Sequence, residues 1–307
     1  MGKSLNIPEP EPGLSFCDVH CHVPWTEGTI SSDKGMSSLP PPEMQIEELK
    51  ERGGLFFISS SIDLNTTRSC LEFVKNHEEV YFTCGMGPQA VTYTKKQVFE
   101  SQFEEWLSIM NEHADFSRLV AFGEIGLDFH HAKTSKQRER QINELDRILS
   151  IVVDKGKPIV FHVRNAGPND KDPNDAGHPF NEPDAAARQI LTLVETHGIE
   201  PSRVLFHCYS GPASLNDELA ARGFWFSVPS SAFGFDRWYK VSMTLPVERL
   251  MTETDAPFQH PRSMEPINMP SNARYAIAVI AQARGLDQAT VAGITLENAK
   301  KFFGIQS

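Results

Sequence analysis

Asp18-Val19-His20-Cys21-His22 sets two imidazoles two residues apart early in the chain. Side chains alternate faces along a strand, so Asp18, His20 and His22 share one side. Both imidazoles can then converge on one cation, with Asp18 supporting them from beneath. Two histidines on one strand face are equally compatible with an ordinary core or cleft, and the pattern alone leaves both readings open. The other candidates interrupt apolar runs elsewhere. Glu124 follows Leu119–Phe122, His162 ends Ile159-Val160-Phe161, His207 ends Val204-Leu205-Phe206, and Asp255 ends the run from Leu250. A lone buried histidine is usually a satisfied core residue, and a lone strand-end carboxylate usually caps a loop. Six residues of metal-ligand type on five strand ends fit that reading poorly. Four imidazoles and two carboxylates gathered without a cation would be short of partners.

The elements that must position them follow from periodicity. Strands are predicted at Leu14–His22, Gly54–Ser61, Val80–Gly87, Leu119–Asp128, Pro158–Arg164, Arg203–Ser210, Gly223–Pro229 and Arg249–Asp255. Helical periodicity occupies Glu43–Arg52, Arg68–Lys75, Lys96–His113, Ser135–Lys155, Pro183–His197, Ser214–Arg222, Asn272–Arg284 and Asp287–Phe303, and more weakly Asp236–Thr244. Eight strand-then-helix units in 307 residues predict an α/β fold, a (β/α)8 TIM barrel formed as one domain over 1–307. An open doubly wound sheet is the main competitor. It would call for a Gly-rich turn after the first strand, where the chain reads His20-Cys21-His22-Val23-Pro24. The candidate ligands fall at strand carboxyl ends, the barrel face where active sites assemble. Long loops at 24–42 and 165–182 rise over that same face, as lids and substrate walls or as plain surface insertions. Asp170, Asp172 and Asp175 lack the Gly and terminal Glu of a calcium loop and read as a solvated segment.

Composition narrows the function classes. Forty percent hydrophobic residues, with 20 Phe, support a large packed core and exclude a disordered or collagenous chain. Lys and Arg number 29 against 40 Asp and Glu, so the net charge of −11 argues against a broad face for duplex nucleic acid, though not against a local basic cleft. No apolar run approaches the roughly 18 residues of a membrane span, and the first residues lack a signal-peptide stretch. A soluble, cytoplasmic protein with no membrane partner is expected. Cys17, Cys21, Cys70, Cys84 and Cys208 form no C-x-x-C pair and read as buried free thiols in a reducing compartment.

Five ordered segments carry a family resemblance: Phe16-Cys17-Asp18-Val19-His20-Cys21-His22, Gly123-Glu124-Ile125-Gly126-Leu127-Asp128, Ile159-Val160-Phe161-His162-Val163-Arg164, Leu205-Phe206-His207-Cys208-Tyr209-Ser210-Gly211 and Glu253-Thr254-Asp255-Ala256-Pro257. With Thr295-Leu296-Glu297-Asn298 near the end, the chain resembles the TatD-type metal-dependent deoxyribonucleases, a branch of the amidohydrolase-like barrels. The resemblance implies two divalent ions. His20, His22 and Asp255 would hold one, Glu124 would bridge, and His162 and His207 would hold the second. It makes Glu253 a further active-site carboxylate, either catalytic or supporting the ligands from behind. The mixed donor set suits Zn, Mn, Ni, Co or Fe, and Mg if water fills much of its shell.

The implied activity is hydrolysis by a water activated between paired ions, with Asp255 accepting its proton. Arg164, two residues past His162, could clamp a phosphate or carboxylate, or form a salt bridge within the barrel. Tyr209 and the Ser210-Gly211 turn could contact substrate, while Trp25, Phe129 and Trp238 read as packing residues also available for stacking. Two departures bear on substrate. Gly87 stands where the family usually has a histidine after the third strand, and Asn268-Met269-Pro270-Ser271-Asn272 replaces the usual turn after the eighth. The leading expectation is a phosphodiesterase that trims single-stranded or frayed DNA. The alternatives are a small-molecule amidohydrolase, lactonase or phosphoesterase, and a non-catalytic metal-binding scaffold. An aromatic mouth would favour nucleic acid, and a pocket capped by 165–182 a small substrate.

Overall fold

The computed structural model describes residues 7–25, 39–172, 174–175, 177–211, 213–262 and 267–306. Its strands are β1 (Phe16–Cys21), β2 (Gly54–Ser60), β3 (Val80–Cys84), β4 (Leu119–Asp128), β5 (Ile159–Arg164), β6 (Val204–Phe206), β7 (Trp225–Pro229) and β8 (Leu250–Glu253). They form one sheet in sequence order, every adjacent pair parallel. Just beyond β8 the chain returns to β1. The Asp255 N–H donates to His20 O (2.9 Å) and the His22 N–H to Ala256 O (2.6 Å). The predicted eightfold barrel is present, and its closure sets Asp255 against both histidines of β1.

The helices are α1 (Pro42–Glu51), α2 (Leu64–Val74), α3 (Pro88–Tyr93), α4 (Lys96–Glu112), α5 (Ser135–Val152), α6 (Ala185–Thr196), α7 (Asn216–Arg222), α8 (Asp236–Thr244), α9 (Ala273–Arg284) and α10 (Gln288–Phe303). Helix α2 starts at Leu64, ahead of the expected Arg68, because Asp63 and Thr66 form a reciprocal cap. The short α3, opened by Pro88 at its first turn, was not legible from periodicity. Strand β6 stops at Phe206, earlier than expected, and the backbone turns at Cys208 with φ +46°.

Phe57, Phe161, Phe206 and Phe226 pack outward in the main core, shared with the helices. A second cluster joins Cys17, Val160, Leu205 and Met251 to Phe302 and Phe303 of α10, which close the end of the barrel where the strands begin. No helix among the described residues is long and apolar enough to cross a membrane. Most of the 24–42 loop lies outside the described residues.

Within the 165–182 loop, the segment read as solvated is so only in part: Asp175 is exposed. Asp170 and Asp172 are buried. Asp170 accepts from His130 Nδ1 (2.7 Å) and Lys133 Nζ (2.6 Å), and Asp172 from the Ser135 N–H (2.9 Å). Beneath them Arg138 of α5 is fully buried. It donates to the carbonyls of Phe129, Ala132, Asp170 and Phe180 and to Asn181 Oδ1. A guanidinium fork that satisfies five acceptors fixes loop geometry that no apolar side chain could hold.

Candidate active site

Glu124 is the hub. Its Oε2 lies 3.3 Å from His20 Nε2 and 3.7 Å from His22 Nε2, while its Oε1 lies 2.6 Å from His162 Nδ1 and 3.5 Å from His207 Nε2. One carboxylate therefore faces two pairs of imidazoles with its two oxygens. Asp255 Oδ1 completes the first set, 3.3 Å from His22 Nε2 and 3.8 Å from His20 Nε2. All six predicted ligand-type residues meet in one mouth. Subsets of them bring their donor atoms within 4.8 Å of one another.

Local structure explains the aim of each side chain. The register of β1 on β2 shifts between Asp18 and Cys21, so the inward face passes from Cys17 and Val19 to His20 and His22. This shift overturns the expectation that Asp18 supports the imidazoles. Asp18 instead accepts from the His20 N–H (3.1 Å), the Thr254 N–H (3.0 Å) and the Thr254 hydroxyl, sewing β1 to β8. The support comes from Ser60 of β2. Its Oγ bonds His20 Nδ1 (3.0 Å) and its carbonyl accepts from His22 Nδ1 (2.9 Å), which leaves Nε2 of His22 free to ligate. Gly126 lets β4 and β5 approach: a Cβ there would lie 2.0 Å from the His162 carbonyl oxygen. At the end of β8, Asp255 adopts φ +59°, a conformation aspartate tolerates better than most residues, and Gln259 Nε2 donates to its Oδ2 (2.6 Å).

The cluster fits divalent cations by its own chemistry. His20 Nε2 is buried without a hydrogen-bond partner. Burial raises the Glu124 pKa, but His207 and His162 outweigh it and hold the carboxyl well below its usual range. Burial also opposes the charge on His162, yet Glu124 and Asp128 push its pKa up to about 9. Where cations are absent, protons fill the same role. Nitrogen and oxygen donors in this mixture suit borderline divalent metals.

One expected substrate contact lies elsewhere, and Glu253 takes the second of its two expected places. Tyr209 is fully buried, its ring packed on Phe206 and Phe226, and it does not line the cavity; the turn at Cys208 sends it into the core. Glu253 is also fully buried. It accepts from Ser227 Oγ (2.6 Å) and lies 3.7 Å from His207 Nδ1, a supporting position behind a ligand, with no access to the cavity. Of the two predicted catalytic carboxylates, only Asp255 reaches the mouth.

That mouth is a cavity of about 790 Å³ whose walls include Arg164, Arg237, His131, Trp25, Tyr93 and Phe258. Trp25 and Phe258 meet edge to face at 5.1 Å, so Trp25 walls the cavity as well as packing. The Arg237 guanidinium lies over the Trp238 ring, 3.7 Å from its centroid. Neither Arg164 nor Arg237 forms an ion pair with a carboxylate among the described residues, and both line the cavity. Burial, Glu253 and Asp255 push the thiol of Cys208, which lines the cavity, well up. Sequence reasoning missed Asp128, His131 and Arg237. The first shares the β4 face of Glu124 at a spacing of four and was readable; the other two sit where no strand parity applies.

The match to known proteins is extensive. The family model described as TatD related DNase matches residues 17–304. The human protein named deoxyribonuclease TATDN3 is 31% identical over 303 residues, covering 95% of each chain. A 3'-5' ssDNA/RNA exonuclease TatD of Citrobacter rodentium is 27% identical over 279 residues, 80% of this chain and 97% of that one. The crystal structure of a TatD family hydrolase from Entamoeba histolytica superposes with a TM-score of 0.75 at 18% identity, covering 95% of this chain and 99% of the other, and so shares the fold. With barrel and matched length in agreement, this chain is a hydrolase of the TatD related DNase family.

Proposed function

We propose that the chain, read over 1–307 as one hydrolase domain, is a dinuclear metal-dependent phosphodiesterase that trims single-stranded or frayed DNA. The observation that carries this reading is one open mouth with the Glu124-centred cluster at its floor and, on its walls, aromatic rings and two arginines that have no carboxylate partner among the described residues. His20, His22 and Asp255 would hold one ion and His162 and His207 the second, with Glu124 shared. Bound divalent ions supply Lewis acidity and bring the pKa of water toward neutrality. Asp255 accepts the proton of the attacking water on its carboxylate, which Gln259 orients through Oδ2. Arg164 and Arg237 bind phosphate oxygens flanking the scissile bond. His131 keeps Nδ1 on Asp128 (2.7 Å), so its Nε2 is the nitrogen available to protonate the leaving oxygen, a task Gly87 cannot perform. Trp25 and Phe258 offer faces for unstacked bases.

The names of the human and Citrobacter relatives support a nucleic-acid substrate. No described residue of 165–182 lines the cavity, so the cap expected for a small-molecule pocket has no support. Five free thiols suit a reducing cytoplasm. The test is a panel of single-stranded oligonucleotide, aryl phosphodiester, amide and lactone, offered to metal-reconstituted protein. The reading requires turnover of the oligonucleotide; turnover of an amide or lactone alone would replace it.

A further inference from the structure

A second cavity, of about 740 Å³, opens at the opposite end of the barrel, where β4, β5 and β6 begin. Its walls carry four cationic side chains, Arg118, Lys157, Arg203 and Lys301, and no carboxylate among the described residues. In a chain with eleven more acids than bases this grouping runs against the overall charge. None of the four has a carboxylate partner within ion-pair distance among the described residues. The carboxylate that acts on Lys157 is Asp115, which is exposed and outside the cavity.

Two of these cations are fixed in place by neutral groups. Arg203 donates through Nη2 to the carbonyls of Val153 (3.1 Å) and Lys157 (2.9 Å), and its Nε is buried with no hydrogen-bond partner. Arg118 donates to the Glu78 carbonyl and lies over the Tyr81 ring at 4.9 Å. Carbonyls and a ring face orient a guanidinium without cancelling its charge. Lys157 is half-buried with its ammonium unpaired, and Lys301 is exposed beside Phe302. Like charges held together by neutral acceptors repel one another until an anion joins them.

We propose that this cavity is a binding site for a small phosphate-bearing anion, distinct from the catalytic mouth. Phosphate oxygens would lie between Lys157, Arg203 and Lys301, the geometry that charge-assisted hydrogen bonds favour. Phe302 and Pro158 form an apolar wall that a base or sugar could cover. The phosphate could be inorganic or belong to a nucleotide.

The test reads each lysine in the full-length, metal-loaded chain. Acetylation rates are followed by mass spectrometry without ligand, with inorganic pyrophosphate, and with a nucleoside monophosphate. The proposal predicts that Lys157 and Lys301 are labelled about tenfold more slowly at saturation, while exposed Lys136 and Lys171 keep their rates. Protection by pyrophosphate alone assigns a bare phosphate site, and tighter protection by the monophosphate assigns a nucleotide site. Unchanged labelling, or equal slowing at all four lysines, overturns the proposal. As a second arm, the Lys157→Gln/Lys301→Gln double variant should raise the Kd for pyrophosphate about tenfold with an unchanged melting temperature. Arg164→Gln should leave that Kd in place; binding lost only in Arg164→Gln would assign the anion to the catalytic mouth.

Discussion

Asp128 Oδ2 lies 3.1 Å from Nε2 of His162, whose other ring nitrogen faces Glu124 Oε1 at 2.6 Å. A carboxylate behind a ligating imidazole fixes its tautomer and raises its basicity. The same Asp128 oxygen accepts from His131 (2.7 Å), so one buried acid ties a ligand to the cavity wall. Burial would raise the Asp128 pKa, but His131 and His162 outweigh it and hold the group ionised.

Asp128→Asn should therefore weaken metal affinity by about 10- to 100-fold with the fold retained, since it keeps the volume and loses the charge. Competition with a chelator, alongside circular dichroism, checks this. Unaltered affinity would remove Asp128 from the site.

The strand-end pattern was legible because parity holds within a strand: His162 with Arg164, and Glu124 with Asp128, share faces. It failed where parity breaks. The register shift in β1 cost Asp18 its expected role, and the turn at Cys208 cost Tyr209 its substrate contact. Parity also cannot tell depth, so it leaves Glu253 either catalytic or behind the ligands, and only the structure places it behind His207. Arg237 and His131 lie in segments whose placement depends on contacts distant in sequence, as do the buried acids around Arg138.

Metal loading should release protons. In the metal-free chain His162 has its pKa pushed up to about 9, above the unfolded imidazole value of about 6.5. Its protonated form thus contributes stability that is complete below about pH 6.5 and is lost as pH rises through about 9. The metal-free chain should melt at falling temperature across that window, and the metal-loaded chain should not, because the ion replaces the proton. Calorimetric metal titrations at pH 7 should change apparent enthalpy between buffers of different ionisation enthalpy; no dependence on buffer would contradict a protonated ligand.

Arg138→Leu should unlatch the 165–182 loop. It strands several buried acceptors at about 1–3 kcal/mol each, so the chain should lose several kcal/mol in denaturant melts and the loop should become protease-sensitive. Because the loop does not line the cavity, metal affinity should change little. Loss of metal with an intact loop would refute the assignment.

Arg237→Gln and Arg164→Gln should each raise KM for an oligonucleotide by about tenfold or more, a charge-assisted contact being worth about 1.5–3 kcal/mol. Neither should shift KM for an amide substrate that lacks phosphate. Equal effects on both substrates would mean the arginines shape the mouth without reading charge.

The most direct test compares metal-reconstituted wild type with Asp255→Asn on a labelled single-stranded oligonucleotide, with bound metal counted in both. The account predicts about two ions in the wild type and a ladder of shortened products. In the variant it predicts cleavage reduced by about 10²–10⁴-fold. Undiminished cleavage by Asp255→Asn, or a fully loaded wild type that leaves the oligonucleotide intact, would contradict it.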